Sequence, residues 1–268
     1  MAYNTVILER ANSVVTLTLN RPAKRNALTH EMMAELHAVL DEVEADSARV
    51  LIVTGAGESF CSGMDLSVLK QMAGSRPEEA QGRPSEKVLA DSRRIAHLFR
   101  HFYTFSKPAI AAVNGHAVAG GCGIATLCDI TLAVPEARLG YTEVRVGFMP
   151  GFVSTFLIRQ IGEKRARDLL LTGRILGAEE ALRLGLINEV VPREKLLERA
   201  QEIGSQLAGM SPTSLRFTKR LLAGFFEQEL EREFALAIET SARIRTTRDF
   251  EEGLSAFLEK RAPHWSDE

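Results

Sequence analysis

The sequence predicts an α/β fold followed by an all-helical C-terminal region. Three observations carry this. Strand–turn–helix units recur from residue 14 to residue 134. One strand, Val50-Leu51-Ile52-Val53, is apolar throughout, as strands buried on both faces under helices are. From Phe152 onward the apolar period becomes helical. At 268 residues the chain suits one core with an appendage. We place the boundary near residue 205, giving 1–205 as the α/β core and 206–268 as the helical region.

Each element has a local reason. Residues 14–19 alternate apolar and polar, as a half-buried strand does, and Asn20-Arg21-Pro22 breaks the strand. Thr29 stands where it can cap a helix over 30–44, whose Met32, Met33, Leu36, Val39, Leu40 and Val43 share one face. Gly55 and Gly57 end the apolar strand. A short helix follows Leu66, and the polar stretch 74–85, with Pro77 and Pro84, reads as a mobile loop. Residues 87–103 are helical by period, and Lys107-Pro108 opens a strand over 109–113. A glycine-rich turn then leads straight into a helix over 121–128, and Asp129 into a strand over 130–134. Helices are expected over 154–161, 163–171, 178–184 and 193–207, with a turn and short strand at 185–191. Pro212 opens another helix at its favoured first-turn position, and two more cover 229–244 and 248–261. The stripe Leu230, Phe234, Ala237 and Ile238 fits either core or a subunit interface.

Composition narrows the function classes. The chain is 45% hydrophobic and 25% charged, ordinary for a globular protein. A net charge of −2 gives no global attraction to nucleic acid or membrane. No apolar run approaches the ~20 residues of a membrane span, and residues 1–10 carry no signal-peptide pattern. Cys61, Cys122 and Cys128 lack metal spacing and read as reduced core thiols of a cytoplasmic protein. His97 and His101 share a helix face without an acidic partner in the spacing, so no metal is expected and a packing or surface role is.

The chemistry lies in two glycine-bearing turns about 60 residues apart, Phe60-Cys61-Ser62-Gly63-Met64-Asp65-Leu66 and Asn114-Gly115 through Gly120-Gly121-Cys122-Gly123. Glycine admits close approach to the backbone, and a helix start leaves N–H groups free. Met64 from the first turn and Gly120 or Gly121 from the second each offer one such donor. Converging on one oxygen, a pair of donors stabilises a carbonyl that gains negative charge, each worth about 3–4 kcal/mol in the transition state. The acid/base candidate is Glu143, in the apolar, aromatic-flanked run Gly140-Tyr141-Thr142-Glu143-Val144. Burial there raises its pKa toward neutrality. The plainer alternative is a surface glutamate paired with Arg145 or Arg138. A dinucleotide fingerprint at Gly121-Cys122-Gly123 is a weak rival, because Thr126 stands where the third glycine belongs.

Together these residues resemble the enoyl-CoA hydratase/isomerase (crotonase) family. The likeness runs almost end to end, through Asn20-Arg21-Pro22 with Asn26-Ala27-Leu28, the 60–66 turn, Lys107-Pro108 to Gly121 with Cys128-Asp129-Ile130, Gly185 to Val191, and Glu252-Gly253 to Lys260-Arg261. The resemblance implies a crotonase-like ββα spiral core with a helical C-terminal trimerisation region, assembled as trimers or dimers of trimers. It implies an acyl-CoA thioester substrate, with coenzyme A part of that substrate and no separate cofactor. The thioester oxygen would lie between the N–H groups of Met64 and Gly120, and Glu143 would transfer the proton. Lys24, Arg25, Ala27, Ser62, Gly63, Asp65, Leu66 and Gly121 would line the substrate path. Lys219, Phe257 and Lys260 would meet the CoA phosphate or adenine, within the subunit or across a boundary to a neighbouring one, if the lysines are not simply solvated.

One position departs from the pattern. Many two-carboxylate hydratases of the family carry a glutamate where this chain has Gly123. Hydration of a 2-enoyl-CoA remains the first expectation, by the run after Glu143. The second is a 3-enoyl-CoA to 2-enoyl-CoA isomerase, for which one base suffices. The third, of another class, is a non-catalytic acyl-CoA or RNA-binding protein, with 243–248 as an arginine-rich patch.

Overall fold

The computed structural model describes residues 3–73 and 84–266. The chain opens with the strands β1 (Val6–Ala11) and β2 (Val14–Leu19), then α1 (His30–Ala45), β3 (Val50–Gly55), β4 (Ser59–Cys61), α2 (Leu66–Ala73) and α3 (Glu86–Thr104). Next come β5 (Ala109–Val113), β6 (His116–Val118), α4 (Gly120–Leu127), β7 (Ile130–Ala133), β8 (Arg138–Gly140) and a 3-10 helix over Glu143–Val146. After α5 (Gly151–Ile161) and α6 (Glu163–Thr172), β9 (Ile175–Gly177), α7 (Ala178–Leu184) and β10 (Glu189–Val190) close the strand-bearing part. The helices α8 (Leu196–Ala208), α9 (Pro212–Gly224), α10 (Glu227–Ile244) and α11 (Arg248–Glu259) complete the chain.

The strands form two sheets. The first has the order β1-β2-β3-β5-β7-β10 and the second β4-β6-β8-β9. Pairing is parallel from β2 to β10 and from β4 to β8, with β1 and β9 antiparallel at the edges. After β1 and β2, which both join the first sheet, the turns β3-β4, β5-β6 and β7-β8 each lay one strand in the first sheet, one in the second, and then a helix. This is the expected ββα spiral. Val50 to Val53 are fully buried, and α8 packs against β2, β3, β5 and β7.

The expected helices are present, and their caps explain the limits. Thr29 Oγ1 accepts from Met32 N at 3.1 Å to start α1. Ser85, Ser211 and Thr247 cap α3, α9 and α11 in the same way. The loop expected over 74–85 lies, for residues 74–83, outside the described residues. The strands β1, β4, β6, β8 and β9 do not figure in the sequence reading. The last four have three residues each, too few for a period to register.

One of these strands corrects the glycine turn. The chain does not run from β5 straight into a helix: it bends at Asn114-Gly115, adds β6 to the second sheet, and only then enters α4. The bend needs a residue without a Cβ at 115, since one would lie 1.9 Å from the Glu58 carbonyl oxygen. Two side-chain amides, one of them buried, hold the bend regions. Asn26 Nδ2 donates to the Ala56 and Ser59 carbonyls at 2.9 and 2.7 Å, and Asn114 Nδ2 donates to Gly55 and Gly57, both at 2.8 Å.

The C-terminal helices fold back onto the core. α10 packs on α3 and α5, and α11 on α2 and the 143–146 helix. Leu230, Phe234 and Ala237 are buried, so that stripe is core. The exposed apolar face belongs instead to α9 and its end, with Phe217, Leu221, Leu222 and Phe225. Residue 205 falls inside α8, and the chain leaves the first sheet only after Ala208.

The three cysteines are buried and unpaired, and burial pushes each thiol up to about 12. His37 joins His97 and His101 in a stack, with 4.7 and 5.1 Å between its ring centroid and theirs. Asp41 does reach His101, at 3.6 Å, although it lies on another helix. Among the described residues no group of His, Cys, Asp and Glu is arranged to hold a metal.

Candidate active site

The two glycine turns meet. Leu28 N donates to the Gly63 carbonyl at 2.8 Å and Asp65 N to the Leu28 carbonyl at 2.9 Å, so the 60–66 turn is stitched to the loop before α1. That loop is itself braced by Arg21, which pairs with Asp65 at 2.9 Å. Gly63, at φ +85°, is pressed against Ala119 and Gly120: a Cβ there would stand 3.0 Å from the Ala119 Cβ and 3.7 Å from the Gly120 nitrogen. Ala119 holds the other side in a strained conformation, φ +50° and ψ −126°. Such backbone costs about 1–3 kcal/mol and concentrates at functional sites. Its N–H donates to the Gly140 carbonyl at 2.7 Å, which fixes α4 against β8.

This arrangement leaves two donors unspent. Neither Met64 N nor Gly120 N donates to any described residue, Gly120 because it is the first residue of α4. Both residues line one cavity of about 780 Å³.

Glu143 lines the same cavity, at the start of the 3-10 helix that follows β8. Part of the residue is accessible, but its Oε2 is buried and has no hydrogen-bond partner. Burial raises its pKa from 4.5 to about 7, and only its own backbone N–H works against this. Arg145 and Arg138 make no ion pair with it, so the surface-pair alternative is not what forms.

Two glycines missed in the sequence reading seat this helix against α11. A Cβ at Gly147 would fall 2.2 Å from the Asp249 carbonyl oxygen, and one at Gly253 2.5 Å from the Val146 carbonyl carbon. Gly253 stood in the tail motif without a reason; contact with the segment bearing Glu143 supplies one.

The other expected site residues divide. Lys24, Arg25, Ala27, Ser62, Asp65 and Phe257 line the cavity. Leu66 begins α2. Asp65 is also structural: burial pushes its pKa up, but hydrogen bonds from Ser67 and the Arg21 ion pair outweigh this and hold it low. Gly63 and Gly121 are the joint between the turns rather than lining, and a Cβ at Gly121 would strike the Cys61 carbonyl oxygen at 2.3 Å. Lys260 ends α11 in a left-handed conformation and is exposed, off the lining.

Lys219 is elsewhere within the protomer. Its ammonium is taken by Asp129 at 2.6 Å and the Lys107 carbonyl at 2.8 Å. The Gly121-Cys122-Gly123 corner is filled by protein on both glycines, which leaves no room there for a pyrophosphate. Within 243–248, the Arg245 side chain is buried against Asp91 at 3.5 Å, whereas Arg243 and Arg248 are exposed.

A two-sheet ββα spiral with two free backbone donors and one buried, unpartnered carboxyl on an apolar cavity defines a class: a fold and site suited to proton transfer beside a carbonyl group. The chain belongs to the enoyl-CoA hydratase/isomerase family, which it matches over residues 9–268. It is 44% identical over 253 residues to a putative enoyl-CoA hydratase of Thermus thermophilus, covering 94% of this chain and 97% of that one. It is 37% identical over 264 residues to a short-chain-enoyl-CoA hydratase of Clostridium acetobutylicum, with 97% of each covered. Among solved structures, an enoyl-CoA hydratase/isomerase from Xanthobacter autotrophicus Py2 superposes with a TM-score of 0.85 at 32% identity, covering 97% of this chain and 98% of that one. No helix among the described residues is long and apolar enough to cross a membrane.

Proposed function

We propose that this chain is a 2-enoyl-CoA hydratase that works with one carboxyl group. The observation that carries the reading is the pair of unspent N–H groups, Met64 and Gly120, on the same cavity as the unpartnered Glu143 carboxyl. The names of its relatives point to the same reaction. The two donors hold the thioester oxygen and draw electron density from C3. Ionised Glu143 takes a proton from water as the water oxygen bonds to C3. The pair of electrons of the double bond moves through C2 to the thioester oxygen, forming an enolate. Glu143 then returns the proton to C2, the enolate collapses, and water has been added across the bond. A pKa near 7 suits a group that must first accept and then donate. Lys24 and Arg25, at the cavity, offer charge to the phosphates of coenzyme A, which is part of the substrate. The exposed apolar face of α9 suits burial in a homo-oligomer, a trimer or a dimer of trimers.

A second reading, 3-enoyl-CoA to 2-enoyl-CoA isomerisation, is favoured by the corner at Gly123. The packing there excludes a second carboxylate, and moving one proton between C2 and C4 needs only one base. Crotonyl-CoA and a 3-enoyl-CoA, offered separately to the purified protein, distinguish the two. Loss of the conjugated absorbance of crotonyl-CoA is expected. No loss with crotonyl-CoA, together with a gain of that absorbance from the 3-enoyl substrate, overturns the hydratase reading. Glu143→Gln is expected to abolish either activity, and its retention of full activity overturns both.

A further inference from the structure

Gly123 and Gly120 are both spent on one aromatic ring. A Cβ on Gly123 would meet Phe99 Cε1 at 2.7 Å and Val153 Cγ1 at 2.5 Å, and a Cβ on Gly120 would lie 3.4 Å from Phe99 Cζ. The ring of Phe99 therefore lies along the bare side of α4, beside the residue that offers the oxyanion donor. It is braced from behind. Phe99 stacks on Phe152 at 6.4 Å between centroids, and Phe152 stacks on Phe234 of α10, also at 6.4 Å. All three rings are buried. Phe99 and Val153 nonetheless reach the cavity wall, with Leu69, Ile95, Leu98 and Phe152 beside them. None of these side chains is charged.

We propose that Phe99 is the residue that sets acyl selectivity, by admitting an unbranched, uncharged acyl group and excluding a second carbon on C3 in the plane of the double bond. The reasoning is positional and rests on the proposed thioester site. If the thioester oxygen is held at Gly120, a ring that takes the space beside the α-carbons of Gly120 and Gly123 borders the first few carbons of the acyl chain, not its far end. The aromatic column behind the ring stops it from yielding to a methyl branch. Gly123 is in this view a packing requirement of Phe99, since any side chain there would drive the ring into the cavity.

The test measures binding as well as turnover. Dissociation constants of crotonyl-CoA and 3-methylcrotonyl-CoA, which differ by one in-plane methyl at C3, are compared by calorimetry in Glu143→Gln, which should not turn them over, with and without Phe99→Ala. The Glu143→Gln protein is expected to prefer crotonyl-CoA by tenfold or more, and Phe99→Ala to reduce that preference at least tenfold. Should Phe99→Ala fail to fold, Phe99→Leu carries the test with a threefold threshold. A purely structural role for Phe99 would weaken both ligands alike. Equal weakening, or a preference unchanged within twofold in a folded variant, overturns the proposal. Turnover of crotonyl-CoA and 3-methylcrotonyl-CoA is followed in parallel. A wild type that hydrates neither substrate, although Glu143→Gln binds crotonyl-CoA, refutes the hydratase reading, while the binding ratio still decides the role of Phe99.

Discussion

Replacing Glu143 by glutamine is expected to stabilise the protein at alkaline pH while abolishing its activity. In the fold the carboxyl titrates near 7, against an ordinary 4.5, because Oε2 is buried without a partner. The folded state thus binds the proton more tightly than the unfolded chain does. Its contribution to stability is complete below about pH 4.5 and is lost as pH rises through about 7. At about 1.36 kcal/mol per tenfold change in proton affinity, the span from 4.5 to about 7 amounts to roughly 3 kcal/mol. Glutamine is neutral throughout and escapes this loss. Unfolding free energies of both proteins, from urea titrations at pH 5, 6, 7 and 8.5, give the comparison. The variant should gain about 2–3 kcal/mol on wild type between the first and last pH, equivalent to several degrees in the melting temperature. Parallel stability curves would show that burial does not perturb this carboxyl, and would remove the physical basis for its role as both base and acid.

Four further outcomes follow from the same geometry. The log of kcat/KM should fall with a slope approaching one below about pH 7, because the ionised form of Glu143 starts the reaction; a profile flat from pH 5 to 8 contradicts this. Gly253→Ala should push the Glu143 segment away from α11 and lower kcat at least tenfold with little change in helix content by circular dichroism. Asn26→Ala should cost about 2–4 kcal/mol in denaturant titrations, since it strands the buried Ser59 carbonyl, the half-buried Ala56 carbonyl and the Arg21 N–H. His37 has its pKa lowered from 6.5 to about 4, chiefly by burial and then by His101 and His97, so it loses stability as pH falls through that window. His37→Gln should therefore lose less stability than wild type between pH 6.5 and 4, read from melting temperatures across that range.

Most helices were legible because their signals are local. Thr29 before an apolar face and Pro212 at a first-turn position each mark a start through geometry set within a few residues. The strands β4, β6 and β8 were not, because each is three residues long and its reason to be extended lies in a partner 20 to 60 residues away. The site shows the same divide. Glu143 was readable as a lone acid in an apolar run, and Met64 and Gly120 as residues of glycine turns. Nothing near Lys219 in sequence announces that Asp129, 90 residues earlier, takes its charge within the protomer. Phe99 was read only as part of the helix over 87–103. Its contact with Gly123 exists only once α3 is laid across α4.

That contact changes the meaning of the residue that departs from the family pattern. From sequence, Gly123 reads as a loss, a carboxylate taken away and a reaction left short of one group. In the fold the place is occupied by Phe99 and Val153, with no space for even a methyl group. A glutamate introduced at 123 alone should therefore not create a two-carboxylate site. It would have to displace a ring held by Phe152 and Phe234. The burden on Glu143 follows. In the proposed hydration the other acid lining the cavity, Asp65, is held low by Ser67 and Arg21, so the Glu143 carboxyl alone must bind the proton tightly enough to remove it from water and loosely enough to deliver it to carbon. A pKa of 4.5 would make it a poor base near neutrality, and one of 9 would leave it protonated at the start. Burial without a partner places it between these limits, near 7, and does so without any neighbouring charge.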